Sequence, residues 1–322
     1  MKKRILQLLR ETPGGFISGE EISRQLAVSR TAVWKHIAAL KRDGYEIEAH
    51  PRRGYCLQKV PDLLLPEEVQ AGLATQSIGR NIVYFRSTDS TNQEAKKQAA
   101  AGCPEGTVVI AEEQTGGRGR LSRSFISPAG QGIWLSVVLR PPFQPFEAPK
   151  CTLMAAVAVT RAIYNLLGVR CGIKWPNDIM YAGKKLVGIL TEMSAEIDII
   201  NYIIIGIGIN VNINKQDFPP EVAANITSLS AATGGFVSRL ALVQAELREL
   251  EKTYQQVLNG GFPAILDEWR TFSATLGQEV VVTGLAKKFT GRAVDIDGDG
   301  NLLVRTARGL ERVVAGDVSI RA

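Results

Sequence analysis

Histidine is nearly absent from this sequence, and the little there is lies at one end. The 322 residues include two histidines, His36 and His50. After residue 50 no imidazole is available as a general base or as the partner of a nucleophilic serine or cysteine. The motifs GxSxG, HExxH and GxxxxGK[ST] are also missing, which argues against a serine hydrolase, a zinc peptidase and a P-loop enzyme.

Cysteine is scarce as well, and its spacing is that of a protein from a reducing compartment. The four cysteines are far apart and form no CxxC pair: Cys56, Cys103, Cys151 and Cys171. Together with two histidines they are a poor set of metal ligands, so we expect neither a structural zinc site nor a disulfide framework. A cytoplasmic location is the natural interpretation.

Long apolar runs are missing too. The most apolar stretch, residues 199–211, is interrupted by Asn201 and by glycines, and it is shorter than the roughly 20 residues that cross a bilayer. The basic start of the chain is followed by an apolar segment that is too short and too interrupted for a signal peptide. We therefore expect no association with a membrane.

Positive charge is concentrated at the beginning of the chain. The net charge is +6, and residues 1–60 contain 12 lysines and arginines against 6 aspartates and glutamates. The excess in these sixty residues equals that of the whole chain, so the remainder is neutral in sum. A small basic module joined to a neutral body indicates contacts with a nucleic-acid backbone.

Two helices separated by a tight turn are predicted within the basic module. Ser18 and Glu21 form a capping box that begins one helix. After a turn at residues 27–28, Ser29 caps a second helix that ends at Gly44. The exposed N-terminal part of this second helix carries the residues expected to bind DNA in the major groove: Ser29, Arg30, Thr31, Trp34 and Lys35.

The following segment, YEIEAHPRRGYCL, alternates about a turn at residues 51–54, which predicts a β-hairpin wing. Arg52 and Arg53 at its tip complete the expected DNA-binding surface. A helical protein-interaction module with merely solvated cations is the alternative. The caps, the turn, the apolar helix face and the basic wing agree instead on a winged helix-turn-helix.

Strands and helices alternate through the rest of the chain, after a proline-bounded segment at residues 61–66. The helix predicted over residues 150–167 is rich in alanine and mostly apolar, so we expect it to be buried against a sheet. The pattern indicates a mixed sheet with helices, an α/β or α+β domain. From about residue 273, short alternating strands separated by Gly-Asp turns predict a small SH3-like β-barrel.

Four polar segments interrupt this body, each beside a predicted strand end. They are STDSTNQEA (87–95), EQTGGRGRLSR (113–123), KWPNDIMYAGKKLVGIL (174–190) and GIGINVN (206–212). Each alone has an ordinary structural explanation, such as glycines that permit close strand packing. Together they provide a glycine-rich loop whose amides and arginines suit anionic oxygens, and a lysine, Lys185, that faces it. That inventory favours nucleotidyl transfer, which depends mainly on positioning and charge neutralisation.

In this order the segments resemble the family of bifunctional biotin–protein ligases and biotin-operon repressors. GGRGR and KWPND, with KLVGIL close behind, are the most specific elements; DSTN, GIGIN and the helix SRTAVWKHIAAL add support. The resemblance covers the whole chain. It implies a winged helix-turn-helix domain over residues 1–63, a central mixed-sheet α/β ligase domain over 64–272 and an SH3-like domain over 273–322, a multidomain α+β protein.

The resemblance also implies three overlapping sets of site residues. The catalytic residues would be Arg118, Arg120 and Lys185. The biotin-binding residues would be Ser90, Thr91, Asn92, Gln114, Arg118, Gly119, Arg120 and Lys185. The nucleotide-binding residues would be Arg120, Lys174, Asn177, Lys185 and Asn210. Asp178 would support the floor of the site, and Trp134 and Gly188 would shape an apolar pocket for the valeryl chain of biotin.

One segment departs from the family pattern. In the family a second loop, here residues 212–225, folds over the adenine, and in some members it offers an aromatic side chain. The one aromatic residue in this segment is Phe218, which two prolines follow, and position 225 is asparagine. The resemblance therefore does not say how this chain covers the adenine.

The activity implied by the resemblance is the ATP-dependent conversion of biotin to biotinyl-5′-AMP, with Mg²⁺ carried by ATP rather than held in a metal site. Biotin would then pass to a lysine of a biotin carboxyl carrier protein, an acetyl-CoA carboxylase subunit. A ligand-promoted homodimer would bind operator DNA as a repressor of biotin genes. Two alternatives remain open: a biotin-sensing repressor without ligase activity, and a lipoate–protein ligase.

Overall fold

The chain forms two compact units. The computed structural model describes residues 1–284 and 288–320, and the chain divides into residues 1–63 and residues 64–322. The first unit contains, in order, α1 (Lys2–Arg10), α2 (Gly19–Leu26), α3 (Arg30–Arg42), β1 (Glu46–His50) and β2 (Gly54–Lys59).

Helix caps set the turn between α2 and α3. The Ser18 hydroxyl accepts a hydrogen bond from the Glu21 amide at 3.0 Å, and the Ser29 hydroxyl accepts one from the Ala32 amide at 3.1 Å. Ala27 ends α2 in the left-handed region with φ 53°, which reverses the chain. The buried core joins apolar residues of all three helices: Ile5, Leu6, Leu9, Ile22, Leu26, Val33, Ile37 and Leu40. The predicted helix-turn-helix is confirmed.

The predicted wing is the antiparallel pair β1–β2. His50 Nδ1 accepts hydrogen bonds from the amides of Arg52 and Arg53, at 3.2 and 3.3 Å, and so closes the turn. The Arg53 guanidinium lies over the Phe16 ring, 3.9 Å from its centroid. The tip of the wing is thereby fixed to the body of its own unit.

The second unit is built on a seven-stranded mixed sheet. After α4 (Pro66–Gln70), its elements are β3 (Ile82–Phe85), α5 (Thr91–Ala100), β4 (Val108–Ala111), β5 (Gly132–Leu139), α6 (Lys150–Leu167), β6 (Gly172–Lys174), β7 (Asp178–Tyr181), β8 (Lys184–Ala195) and β9 (Ile200–Asn210). The strand order is β3-β4-β5-β9-β8-β7-β6. β3 and β4, joined through α5, are parallel, and every other neighbouring pair is antiparallel.

Apolar helices cover this sheet. Helix α6 has the predicted bounds and is buried along most of its length, because residues 153–160 are almost all apolar and leave no polar stripe there. Four further helices follow the sheet: α7 (Pro220–Ala223), α8 (Leu229–Thr233), α9 (Arg239–Gly260) and α10 (Pro263–Phe272). No helix in the described ranges is long and apolar enough to cross a membrane.

The C-terminal part is a five-stranded antiparallel sheet. It contains β10 (Glu279–Thr283), β11 (Lys288–Ile296), β12 (Leu302–Thr306), β13 (Gly309–Val313) and β14 (Asp317–Ile320), in the order β13-β12-β11-β10-β14. The turn between β11 and β12 packs on the central body, where the Trp175 indole donates to the Gly300 carbonyl at 3.0 Å. The predicted fold class is confirmed for the helix-turn-helix, the central mixed sheet and this C-terminal antiparallel sheet.

Candidate active site

A cleft with a cavity volume of about 170 Å³ opens over the first half of β8 and the second half of β9 in the second unit. We call it the central cleft. It brings together residues from all four polar segments, although residues 174–176 of the third and 209–212 of the fourth do not line it. Its lining includes Ser90, Thr91, Asn92, Gln114, Arg118, Gly119, Arg120, Arg123, Phe125, Asn177, Asp178, Lys185, Gly188, Gly206, Gly208 and Asp317.

One wall of the cleft is a continuous hydrogen-bonded series. The Thr91 amide donates to Gln114 Oε1 at 2.8 Å, and Gln114 Nε2 donates to the Ser127 hydroxyl at 2.9 Å. On the side of Thr91 away from Gln114, the Ser136 hydroxyl lies 2.8 Å from Thr91 Oγ1 and 2.6 Å from Asn92 Oδ1. The predicted biotin-binding side chains of this wall therefore form one rigid polar surface, which suits the recognition of a planar group that both donates and accepts hydrogen bonds.

Glycines form the floor, because neighbouring side chains leave no room for a Cβ atom. A Cβ at Gly206 would lie 2.1 Å from Asn92 Oδ1, and one at Gly208 would lie 2.5 Å from the Phe125 ring. The Phe125 ring also contacts Trp134, with their centroids 5.8 Å apart. Phe125 thus supplies an apolar surface above the glycines, a role that our sequence analysis missed because the residue lies outside the quoted motifs.

Lys185 lies at the polar end of the cleft. Its ammonium group is 2.6 Å from the Asp178 carboxylate and 5.7 Å from the centroid of the Phe125 ring. Its backbone is held as well, because its amide donates to the Asn225 carbonyl and its carbonyl accepts from the Thr227 amide, both at 2.9 Å. The loop expected to cover the adenine is therefore tied to the strand that carries this lysine.

The glycine–arginine loop, residues 116–125, folds back on itself above the cleft. The Gly119 amide donates to the Arg123 carbonyl at 2.7 Å, and the Phe125 amide donates to the Gly117 carbonyl at 2.9 Å. A Cβ at Gly117 would lie 2.3 Å from the Phe125 carbonyl oxygen. This return of the backbone explains why the loop needs glycine there.

Two arginines connect this loop with other parts of the unit. Arg120 donates to Asn177 Oδ1 at 3.3 Å and to the Gly316 carbonyl at 2.9 Å, and Arg123 forms an ion pair with Asp317. Burial lowers the pKa of Arg120, and the nearby carboxylates of the cleft oppose that effect. Since an arginine remains charged under any ordinary condition, the cleft offers a partly desolvated cation to an anionic ligand.

Lys174, Asn210 and Trp134, in contrast, do not line the central cleft. Lys174 borders a separate hollow beside Met180 and Ala274, because it lies on β6 whereas Asn177 lies in the turn between β6 and β7. Asn210 is buried at the end of β9, paired with Gly132. Trp134 is fully buried behind Phe125 and donates to the Pro128 carbonyl at 3.1 Å. The structure thus separates these three from the remaining predicted site residues.

A second candidate surface lies on the first unit. Arg30, Thr31, Trp34 and Arg52 border one open hollow between α3 and the wing. The Trp34 side chain is 60% exposed, which is unusual for an indole without a partner surface. Ser29 is used mainly as the cap of α3, while Lys35 and Arg53 lie outside this hollow. The arrangement presents cations and an aromatic ring on one face.

The fold and cleft define a class of protein: an α/β unit with a cationic cleft, preceded in the chain by a winged helix-turn-helix. Models of known families match all three parts. They are an HTH domain over residues 2–56, the biotin/lipoate A/B protein ligase family over residues 84–210, and the biotin protein ligase C terminal domain over residues 275–321.

Whole-chain relatives agree with these matches. The bifunctional ligase/repressor BirA of Bacillus subtilis (strain 168) is 42% identical over 320 residues, 99% of this chain and 98% of that protein. BirA of Escherichia coli (strain K12) is 28% identical, covering 96% of this chain and 94% of that protein. The structure of a biotin protein ligase from Aquifex aeolicus in complex with biotin and ATP matches 75% of this chain and 99% of that one, with TM-score 0.65 and 28% identity. The chain belongs to the biotin protein ligase family, in the branch that carries an N-terminal helix-turn-helix.

Proposed function

We propose that this protein is a biotin–protein ligase that also acts as a transcriptional repressor of biotin genes. The observation that carries the ligase assignment is the central cleft. In it a rigid polar wall, an apolar surface and a set of cations meet within one pocket. Biotin has a matching sequence of parts: a ureido ring, an apolar valeryl chain and a carboxylate.

The orientation of biotin follows from this match. The ureido ring lies against Thr91, Asn92 and Gln114, and the valeryl chain lies beside the Phe125 ring. The carboxylate then points toward Lys185 and the glycine–arginine loop. Gly188, Gly206 and Gly208 let the Phe125 ring and the Asn92 side chain pack closely on β8 and β9.

In the first reaction a carboxylate oxygen of biotin attacks the α-phosphorus of ATP, which binds with its Mg²⁺. A new O–P bond forms, the bond to the β-phosphate oxygen breaks, and pyrophosphate leaves. Lys185, Arg118 and Arg120 offset the negative charge that develops on the phosphoryl oxygens. The ion pair with Asp178 holds the Lys185 ammonium group at the polar end of the cleft.

In the second reaction the amine of an acceptor lysine attacks the carbonyl carbon of biotinyl-5′-AMP. An amide bond forms, AMP leaves with the electron pair of the C–O bond, and the amine loses a proton. We assign the acceptor to a biotin carboxyl carrier protein, an acetyl-CoA carboxylase subunit. No histidine is needed, because an anhydride is already activated toward an amine.

The first unit supplies the regulatory role. Its excess charge and the hollow bordered by Arg30, Trp34 and Arg52 suit operator DNA. A two-fold operator calls for a homodimer, which we propose is promoted by the bound adenylate. Residues 191–195 of β8 pair with β9 on one side, and no strand of the described ranges pairs with them on the other. This open edge supports pairing with the same strand of a second copy. The four free cysteines agree with a reducing cytoplasm.

One experiment separates this proposal from both alternatives. The purified chain is incubated with ATP·Mg²⁺, a carrier domain, and either biotin or lipoate, and the carrier mass is then measured. We expect one biotinyl group per carrier and no lipoyl transfer. Lipoate transfer would indicate a lipoate ligase, and binding of biotin without any transfer would indicate a sensing repressor. Retention of Arg118, Arg120 and Lys185 in the cleft favours the active ligase.

A further inference from the structure

A carboxylate lies behind the polar wall of the central cleft and is joined to it. Glu192, on β8, accepts a hydrogen bond from Asn92 Nδ2 through one oxygen at 2.8 Å. Its other oxygen is 2.6 Å from the ammonium group of Lys96, on α5. The series of contacts therefore runs from Lys96 through Glu192 and Asn92 to Ser136, and from there to Thr91 and Gln114.

Glu192 determines which way the hydrogen bonds of this series run. An ionised carboxylate only accepts, so the Asn92 amide must turn its NH₂ group toward Glu192 and its oxygen toward Ser136. The Ser136 hydroxyl has one proton, which Asn92 Oδ1 takes at 2.6 Å. The Thr91 hydroxyl lies 2.8 Å from the Ser136 oxygen and 3.1 Å from Gln114 Oε1, so it joins the two side chains.

The other end of the series is fixed independently. The Thr91 backbone amide can only donate, so it holds the Gln114 side-chain oxygen in place at 2.8 Å. The amides of Asn92 and Gln114 are therefore each fixed in one orientation, and the hydroxyls of Thr91 and Ser136 connect them. Reversal of the Asn92 amide would place its oxygen against the Glu192 carboxylate and the Leu190 carbonyl, two groups that only accept.

Asn92 also has no room to move away from this arrangement. Its oxygen lies directly over Gly206, where a Cβ atom would come within 2.1 Å. Its Nδ2 group also donates to the Leu190 carbonyl, at 3.3 Å. The position of Asn92 is thus set by the floor, and its orientation is set mainly by Glu192, the nearer of the two acceptors of its NH₂ group.

We propose that Glu192 is a positioning residue for ligand recognition: it fixes the orientation of the Asn92 amide, and through it the hydrogen-bonding pattern that the cleft presents to the ureido ring of biotin. This inference rests on the proposed function. Glu192 does not itself line the central cleft, and it acts through Asn92. Lys96 supports it by holding the second carboxylate oxygen in place.

The test measures biotin binding to the full-length protein by calorimetry, without ATP. Glu192→Ala is expected to weaken the Kd for biotin about tenfold, as for the loss of one hydrogen bond to a charged group. Glu192→Gln keeps the size but offers one oxygen to two donors, so a smaller loss is expected. Glu196→Ala, an exposed glutamate on the same hairpin, is the matched control and should bind as the wild type does.

Lysine variants test the outer end of the series. Lys96→Met keeps the aliphatic stem and removes the charge, and we expect a loss of about threefold, because Glu192 retains its contact with Asn92. Its neighbour Lys97 pairs with Glu94 on the surface of α5 instead. Lys97→Met is therefore expected to leave biotin binding unchanged.

A double-mutant cycle distinguishes positioning from general stabilisation. If Glu192 acts through Asn92, Glu192→Ala adds nothing to the loss caused by Asn92→Ala, and the double variant binds biotin as Asn92→Ala does. The thermal unfolding temperature of each variant and its KM for ATP at saturating biotin are measured alongside. Both are expected to change little in Glu192→Gln, even where Glu192→Ala folds less well.

The outcomes separate this inference from the function on which it rests. If the wild-type protein does not bind biotin, both the proposed function and this inference are refuted. If the wild type binds biotin and Glu192→Ala binds it equally well, the inference alone is overturned. Independent, additive losses from Glu192→Ala and Asn92→Ala would also overturn it, since they would show that Glu192 does not act through Asn92.

Discussion

A methyl group added at Gly206 should disrupt the polar wall of the central cleft while the rest of the unit keeps its fold. In Gly206→Ala the new Cβ would meet Asn92 Oδ1 at 2.1 Å, whereas ordinary contacts begin near 3.4 Å. The Asn92 side chain must therefore move by about 1 Å, and its contacts to Ser136 and Glu192 lengthen beyond hydrogen-bonding distance. Overpacking of this kind costs about 1–3 kcal/mol, and the displaced amide no longer faces the ligand.

We expect the Kd of Gly206→Ala for biotin to rise at least tenfold, while the unfolding temperature falls by a few degrees, about 2–4 °C per kcal/mol for a chain of this size. Calorimetry with biotin and a thermal melt measure the two effects. Gly235→Ala is the matched control, because a Cβ there meets nothing within 4 Å. Biotin binding by Gly206→Ala at the wild-type level would refute the geometry assigned to Asn92.

Three further variants test separate parts of the account. Lys185→Ala should slow adenylate formation about a hundredfold or more, while the Kd for biotin changes far less. The lysine charge stabilises the transition state, in which negative charge builds up on the phosphate oxygens, more than it stabilises bound biotin. Equal losses in both quantities would contradict this role. Arg239→Ala should lower the free energy of unfolding by about 3–5 kcal/mol, because it leaves the buried Glu112 carboxylate, 2.8 Å away, without its cation. A free energy of unfolding within about 1 kcal/mol of the wild-type value would show that this ion pair is not needed for stability. Glu246 is fully buried and burial raises its pKa from 4.5 to about 8. The folded state then holds a proton that the unfolded state releases, so the contribution of Glu246 to stability is fully present below pH 4.5 and falls by about 1.4 kcal/mol per pH unit as the pH rises toward 8. Glu246→Gln should remove this contribution, and denaturant titrations from pH 5 to 8 with an unchanged slope would contradict it.

Local signals in the sequence were enough to predict the helix-turn-helix. Its caps at Ser18 and Ser29 act within three residues, and the apolar spacing of α3 follows from the helix period alone. Helix α6 was predictable for a similar reason, because an apolar helix of this length is stable mainly when it is buried. Such features depend on neighbours in the chain, which the sequence displays directly.

Much of the central cleft was also predictable, because its motifs lie at strand ends that a sheet brings together. The contacts behind them were not. Glu192 meets Asn92 across a hundred residues, and the register of β8 against β9 decides which side chains of β8 reach the cleft. Lys174 lies close to Asn177 in the sequence, yet the turn between them directs Lys174 to another hollow.

The role of Phe125 could not be predicted from the sequence either. It is one of ten phenylalanines in the chain, and although it closely follows the segment at 113–123, the sequence does not show that its ring turns into the cleft. Only the fold reveals that glycines at 188 and 208 lie beneath its ring. Glycine patterns on paired strands are therefore a signal for an aromatic residue above them, although they do not say which aromatic residue it is.

The central claim is that the cations around the cleft promote attack of the biotin carboxylate on ATP. Exchange of labelled pyrophosphate into ATP, measured with the purified full-length protein with and without biotin, tests this step without any carrier or DNA. We predict exchange that requires biotin and that Lys185→Ala loses almost completely. Exchange that lipoate supports equally well, or no biotin-dependent exchange at all, would contradict the account.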